Sequence, residues 1–570
     1  MIRLFSMMSE NYVIDTKLGK IRGKLASNYL GVKYYSFQGI PYARAPVGSL
    51  RFKAPLPAEA WNGVLDGTKE GPACPSFLLF DWVIGNEDNC LNLNVYIKEL
   101  PKNGVPLKPV MVWIHGGGFT RGSNSSKLNG PGYLMTEDVI LVTINYRLGV
   151  LGFICLEDEH LGVTGNAGLK DQVMALKWVR ENIISFGGDP NNVTVFGQSA
   201  GGASVHFLTL SPLAKGLFHK VIIQSGSALN SWASGVRGVK HICEYMKTEE
   251  NDEFKILNIL QNMTVKELLS IQKNIPDRIL AGFQRFFAPV VEKPSKDAFI
   301  YEEPEHLLKS GNYNKVPIII GTTSNEAVFH RGARVFEGLR WSFDCKLEIP
   351  LDLRKELSEK EEAEVVEKIC NFYKLPADVC EESSFELKSD NLFVHGCHRS
   401  MNYHIETNNN PIFCYKFSFE GSMNHFKNIS LAHYPRTYIL CMYLATMLGT
   451  GFMRSMLMKI AYSVGFKEIS GSAHGDELSY LFGSIFSRQM EPNSSEENIM
   501  KRLVKLWTNF AKHSNPTPEN NEDELGIRWI PIEQNKHHYL DIGDELTMKM
   551  NPFSERNKFW NDIYDEYSKK

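Results

Sequence analysis

The 570-residue sequence predicts an α/β protein, with a large, mostly parallel central sheet and helices on both faces. Two observations predict it. Short apolar runs rich in β-branched residues recur along the chain, and each ends in glycine or a polar turn: Val110–Ile114, Val139–Asn145, Val193–Phe196, Val221–Gln224 and Val316–Ile320. Unbroken apolar runs, rather than alternating ones, suit strands covered on both faces, as in a parallel sheet. Helical patterns lie between the runs. In "AGLKDQVMALKWVRENIISFG", Leu169, Val173, Leu176, Val179 and Ile183 recur at steps of three and four and make one apolar stripe. With a strand before it and another after, this segment reads as a βαβ crossover. Ligands of such sheets bind beyond the carboxyl ends of the strands.

The rest of the chain is placed around this sheet. No long linker, low-complexity tract or repeat divides it, so residues 1–570 read as one domain. Segments 230–310 and 345–410 read as mostly helical insertions that cap the site. The charged stretch Glu356–Lys368 reads as a solvated helix face. Near the end come a helix, "IMKRLVKLWTNFAKHSN", and then "RWIPI" and "HHYLDIG", which read as a peripheral hairpin.

Composition narrows the function classes. The chain has 62 basic and 65 acidic residues, a net charge of −3, which gives no electrostatic footprint for nucleic acid and points to a small, neutral substrate. No run approaches the ~18 apolar residues of a membrane span. The N-terminus, "MIRLFSMMSENYVIDTKLGK", turns polar too early for a secretory h-region of ~7–15 apolar residues, so a cytoplasmic location is expected. The ten scattered cysteines are then expected to be mostly reduced thiols. Sequons at Asn124, Asn192, Asn262, Asn428 and Asn493 would matter only in the secretory path.

Four elements carry chemistry. The stretch "NNVTVFGQSAGGAS" (191–204) runs from a strand into Gly197-Gln198-Ser199-Ala200-Gly201 and then a helical pattern. A nucleophile elbow needs this arrangement, because a serine in a strained turn is exposed only if its neighbours lack side chains. Alone, the pattern equally describes a glycine turn holding an incidental serine. "VMVWIHGGGFTRG" (110–122) takes another strand into three glycines, whose backbone can approach a substrate carbonyl. The N–H groups of Gly117, Gly118 and Ala200 are the candidate donors to an oxyanion. No Lys-Ser/Thr follows, which argues against a phosphate loop. Glu326, in "VPIIIGTTSNEA", lies six residues beyond a buried strand and is either the acid or a solvated loop residue. Of sixteen histidines, His474 in "GSAHGDELSY" has the most suitable setting; His395, His398 and His433 compete. The order Ser199, Glu326, His474 is that of α/β-hydrolases, and the group fits acyl transfer by serine, with no metal and no cofactor required.

The chain resembles the type-B carboxylesterases, the carboxylesterase/cholinesterase family, over nearly its whole length. "FQGIPYARAPVGSLRFKAP" (37–55), "HGGGF", "NYRLGVLGF" (145–153), "GNAGLKDQVMALKWVRENI" (165–183), "FGGDPNNVTVFGQSAGG" (186–202) and "GSAHGDEL" (471–478) carry the likeness. "QSGSALNSWA" and "YKFSFEGSMNHFKN" further resemble intracellular insect α-esterases. The resemblance implies an α/β-hydrolase fold, the Ser199–Glu326–His474 triad, the Gly117/Gly118/Ala200 oxyanion hole and an auxiliary hydroxyl, Ser225, on the triad acid. It also implies a structural ion pair between Arg147 and Asp171, an acyl-pocket role for Trp232, which otherwise reads as an ordinary core residue, and Phe287 lining the gorge. Cys74 and Cys90 correspond to a disulfide of the family's secreted members, though thiols are the expectation here. Where the family has Glu-Asp before Cys-Leu, this chain has Asp88-Asn89, so the partner of Arg44 is Glu87 or Asp88.

The implied activity is hydrolysis of lipophilic carboxylic esters through an acyl-enzyme, with capacity to trap organophosphates. A second implied activity is that of juvenile hormone esterases, which share Gln198 before the serine. The neutral amide at Gln198 argues against cationic choline esters.

Overall fold

The computed structural model describes residues 12–28, 30–77, 83–275, 285–331, 343–376, 379–432, 469–484, 490–519, 525–534 and 536–568, with a few isolated positions between 437 and 487. Thirteen strands make one mixed sheet: β1 (Tyr12–Thr16), β2 (Gly19–Ser27), β3 (Lys33–Pro41), β4 (Val64–Asp66), β5 (Asn92–Ile97), β6 (Lys108–Ile114), β7 (Ile140–Ile144), β8 (Gly188–Gln198), β9 (Lys220–Gln224), β10 (Ile318–Thr323), β11 (Ile412–Phe417), β12 (His538–Ile542) and β13 (Leu546–Met550). Their order is β1-β2-β3-β5-β7-β6-β8-β9-β10-β11-β12-β13, with β4 beside β2.

All five expected strands are present, within a few residues at their ends. Their pairings from β7 through β6, β8, β9, β10 and β11 to β12 are parallel. The strands from β1 to β7 along the path pair antiparallel. In β6, Val110, Val112 and Ile114 join one buried cluster while Met111 and Trp113 join a second, so the strand is covered on both faces. Helix Ala167–Asn182 lies on the first face, with Leu169, Val173, Leu176 and Val179 all buried, and helix Ser495–His513 on the second.

Three expectations need correction. "RWIPI" forms no strand; the late hairpin is β12 with β13, and β12 extends the central sheet by pairing parallel to β11. The register of that hairpin depends on β11, a distant partner that local patterning does not reveal. Among its described residues, segment 230–310 carries four short α-helices (Lys240–Met246, Glu253–Asn262, Val265–Asn274, Pro304–Ser310), and residues 285–303 are irregular. Cys74 and Cys90 form a disulfide, while the other eight cysteines are free. Segment 345–410 is helical, with Glu359–Phe372 burying Val365 and Ile369 beneath a charged outer face, as the charge run predicted. Among the described residues, no helix is long and apolar enough to cross a membrane.

Candidate active site

Ser199 sits between the end of β8 and the first turn of helix Ala200–Leu210, with φ 60° and ψ −125°. A non-glycine residue is rarely found there, and the conformation persists only because its surroundings leave no alternative. Those surroundings are backbone. A Cβ on Gly201 would lie 2.1 Å from the Ile114 carbonyl oxygen, one on Gly197 would lie 2.6 Å from the Gly201 backbone, and one on Gly226 would lie 2.1 Å from the Ser199 carbonyl oxygen. The Ser199 N–H donates to the Gln224 carbonyl (2.8 Å) at the end of β9. The flanking glycines are thus a steric requirement. The result is a serine hydroxyl that is partly exposed on a buried turn, at the positive end of an eleven-residue helix.

The "HGGG" turn abuts this elbow: a Cβ on Gly116 would lie 3.0 Å from that of Ser199. Gly117 (φ 115°) and Gly118 (φ 62°) occupy the left-handed region. Among the described residues, the N–H groups of Gly117, Gly118 and Ala200 donate to no protein acceptor. Three free backbone donors at a buried turn are what an oxyanion hole offers. His115 is not a base. Its ring stacks on Tyr146 at 4.5 Å, and burial pushes it down to about 4, so it is neutral.

Glu326 and His474 form a buried pair, with His474 Nδ1 2.6 Å from Glu326 Oε2. The other carboxylate oxygen accepts from Ser225 Oγ (2.6 Å) and from the Thr323 N–H (2.6 Å). Because β10 continues to Thr323, Glu326 lies three residues past the strand, closer than the sequence suggested. Its loop is stitched to the histidine loop. The Asn325 N–H donates to the Ser472 carbonyl, the Ser472 N–H to Ser324 Oγ (2.8 Å), and the His474 N–H to the Glu326 carbonyl. Behind the pair, Glu477 accepts from Gln224 Nε2 (3.1 Å), and burial, followed by the nearby Glu326 charge, pushes its carboxyl up to about 8.

His474 Nε2 lies 3.1 Å from Gln198 Nε2. With Nδ1–H donated to Glu326, Nε2 is an acceptor and the amide N–H donates to it. Ser199 Oγ makes no hydrogen bond among the described residues. The structure therefore brings Glu326 and His474 together and sets the imidazole against Gln198, the residue before Ser199.

Phe393 and Phe329 flank the imidazole at 4.2 and 4.9 Å. Phe393 belongs to a π-helical turn, Asp390–Val394, and no local pattern pointed to it. Trp232 is buried 5.9 Å from Phe393 and 6.2 Å from Phe119, with its indole N–H on the Leu392 carbonyl (2.6 Å). Phe287 is fully buried, edge-on to His241. Arg147 and Asp171 make a buried bidentate pair (2.8 and 2.6 Å) that ties the loop after β7 to helix Ala167–Asn182.

The competing histidines are set elsewhere. His395 lies by Trp560 and Tyr564, and His398 by His537; desolvation lowers both, His398 to about 3, and neither is bonded to a carboxylate among the described residues. His433 lies outside the described residues. The ion-pair expectation is corrected as well: Arg44 pairs with Glu59, while Glu87 pairs with Arg51, which also donates to the Gln261 and Met263 carbonyls. Asn124 is buried and bonded to Asn92, so that sequon cannot carry a glycan in this fold.

The "Carboxylesterase family" model matches residues 10–560. Juvenile hormone esterase of Tribolium castaneum is 32% identical over 97% of this chain and 91% of its own length. Esterase E4 of Myzus persicae is 33% identical over 92% and 89%. The crystal structure of juvenile hormone esterase from Manduca sexta, with OTFP covalently attached, superposes with a TM-score of 0.80 at 29% identity, covering 98% of this chain and all of that one.

Proposed function

Because the chain belongs to the carboxylesterase family and hydrolyses carboxylic esters, we propose that Ser199, His474 and Glu326 perform that hydrolysis and that Gly117, Gly118 and Ala200 hold the oxyanion. The observation that carries this reading is the buried Glu326–His474 pair, whose other imidazole nitrogen faces the Gln198–Ser199 turn. The Gln198 amide first yields Nε2. His474 then takes the proton from Ser199 Oγ as the oxygen attacks the ester carbonyl, and the resulting oxyanion meets the three N–H groups. His474 returns the proton to the departing alkoxide, leaving an acyl-serine. Water, deprotonated by the same nitrogen, attacks the acyl carbonyl, and His474 returns that proton to Ser199 Oγ as the acid leaves. Glu326 stabilises the imidazolium throughout, and Ser225 keeps the carboxylate aimed.

The substrate class is neutral, lipophilic esters. Trp232, Phe393 and Phe329 make an apolar wall beside the base, and Gln198 adds no charge to hold a cation. An organophosphate ester would phosphorylate Ser199 by the same attack. A second reading, hydrolysis of juvenile hormone, is favoured by the likeness to esterases named for it. A panel of 4-nitrophenyl esters of graded chain length, with juvenile hormone and choline esters, separates these. We expect turnover of the neutral esters and at least a ~10⁴-fold loss in Ser199→Ala; undiminished turnover in that variant contradicts the assignment. The expected cytoplasmic location meets a disulfide that favours an oxidising compartment. Titration of the protein in fractionated cells decides: eight free thiols support secretion and ten support the cytoplasm.

A further inference from the structure

We propose that Arg285 is a positioning residue for the oxyanion hole, its guanidinium tying the glycine turn to the wall of the acyl pocket. This rests on Gly117 and Gly118 being the oxyanion donors. The carbonyls of the turn account for its geometry. His115 O accepts from Tyr146 Oη (2.9 Å), Gly117 O from the Thr120 and Arg121 N–H groups (3.1 Å each), and Phe119 O from the Gly149 N–H (2.7 Å). Those partners are other parts of the same loop or its immediate packing neighbours. Gly118 O is held differently, by Arg285 Nη2 at 3.0 Å, from 167 residues away. The same guanidinium donates through Nη1 to the Trp232 carbonyl at 3.3 Å. Arg285 is only 1% exposed, so these charge-assisted bonds form where water does not compete.

Gly118 has no side chain to fix its backbone, and at φ 62° its N–H is aimed only as well as the flanking peptides are held. The Gly118 N–H lies in the 117–118 peptide, which Gly117 O anchors, and Arg285 holds the next peptide, 118–119, through Gly118 O; losing the guanidinium frees ψ at Gly118 and lets the φ of 62° that aims the N–H relax. A planar fork holds two carbonyls in fixed relative directions, which a lysine ammonium on a flexible stem does not. Arg285 therefore couples the donor turn to the 3₁₀ turn Ser231–Ala233, which carries Trp232.

The test compares Arg285→Lys and Arg285→Gln with wild type and with Ser199→Ala, using 4-nitrophenyl acetate and butyrate. Folding is checked by circular dichroism. A misaimed donor weakens the transition state more than the bound ester. The expectation is a roughly 10- to 100-fold fall in kcat, KM within about two-fold, Lys retaining more activity than Gln, and phosphorylation by diethyl 4-nitrophenyl phosphate slowed in parallel. Three results overturn the proposal: kcat within two-fold of wild type, a change in KM alone, or loss of folded protein in both variants, which would make the guanidinium a support of the fold. Turnover that survives Ser199→Ala would instead overturn the site assignment beneath it.

Discussion

Ser199, the proposed nucleophile, and the Glu326–His474 pair are held by opposite means. Ser199 is fixed by contact of backbone on backbone, with Gly197, Gly201 and Gly226 each leaving less than 3 Å for a Cβ. Glu326 and His474 are fixed by a polar lattice, two loops joined by hydrogen bonds from Asn325, Ser472, Ser225 and Thr323. The first region tolerates no added atoms. The second tolerates volume better but depends on which groups carry protons.

That contrast can be broken in graded steps. Glu326→Gln keeps the shape of the lattice but removes the charge that sets the imidazole tautomer. We expect kcat to fall by about 10⁴-fold with little loss of thermal stability; steady-state kinetics beside a melting curve checks both. Gly226→Ala adds one carbon against the Ser199 carbonyl. It should cost about 3 kcal/mol of stability and roughly 10²-fold in kcat, a paired loss that the first variant lacks. Denaturant titration and kinetics on the same preparation measure it. Glu477→Gln gives the smallest effect. Its carboxyl is raised from 4.5 to about 8, so between those pH values the native state binds a proton that the unfolded chain has released. Wild-type stability should therefore fall as pH rises from about 4.5 and level off near 8. The Gln variant, which cannot ionise, should show a shallower slope in Tm from pH 5 to 8.5, with the loss largest above pH 7, because burial also raises Asp390 and Asp476 to about 7 and they still titrate.

The same contrast decides what could be read from the sequence. The glycine-packed half was legible, because unbroken apolar runs mark two-sided strands and glycine spacing marks the elbow. The lattice was legible only in its anchors. Glu326 and His474 stood out by position and order, but their bonding to Thr323, Ser324 and Ser472 arises from loops 148 residues apart. Strand β11 interrupts its apolar run with Lys416 and was missed, and the hairpin beyond it was misplaced for the same reason. The antiparallel strand β2, "GKIRGKLAS", buries only Ile21 and Gly23 and reads locally as polar. Phe393 and Arg285 act through a π-turn and a long-range bond, neither of which leaves a local pattern. The Cys74–Cys90 bridge was set aside on the strength of the N-terminus, which says nothing about the distance between two sulfurs.

The central claim is that Ser199 is the nucleophile. Incubating the protein with diethyl 4-nitrophenyl phosphate and mapping the adduct by peptide mass spectrometry tests it directly. One diethylphosphoryl group on the peptide containing Ser199, formed in step with loss of esterase activity and absent from Ser199→Ala, is the predicted result. Activity lost with the label on another residue would contradict it.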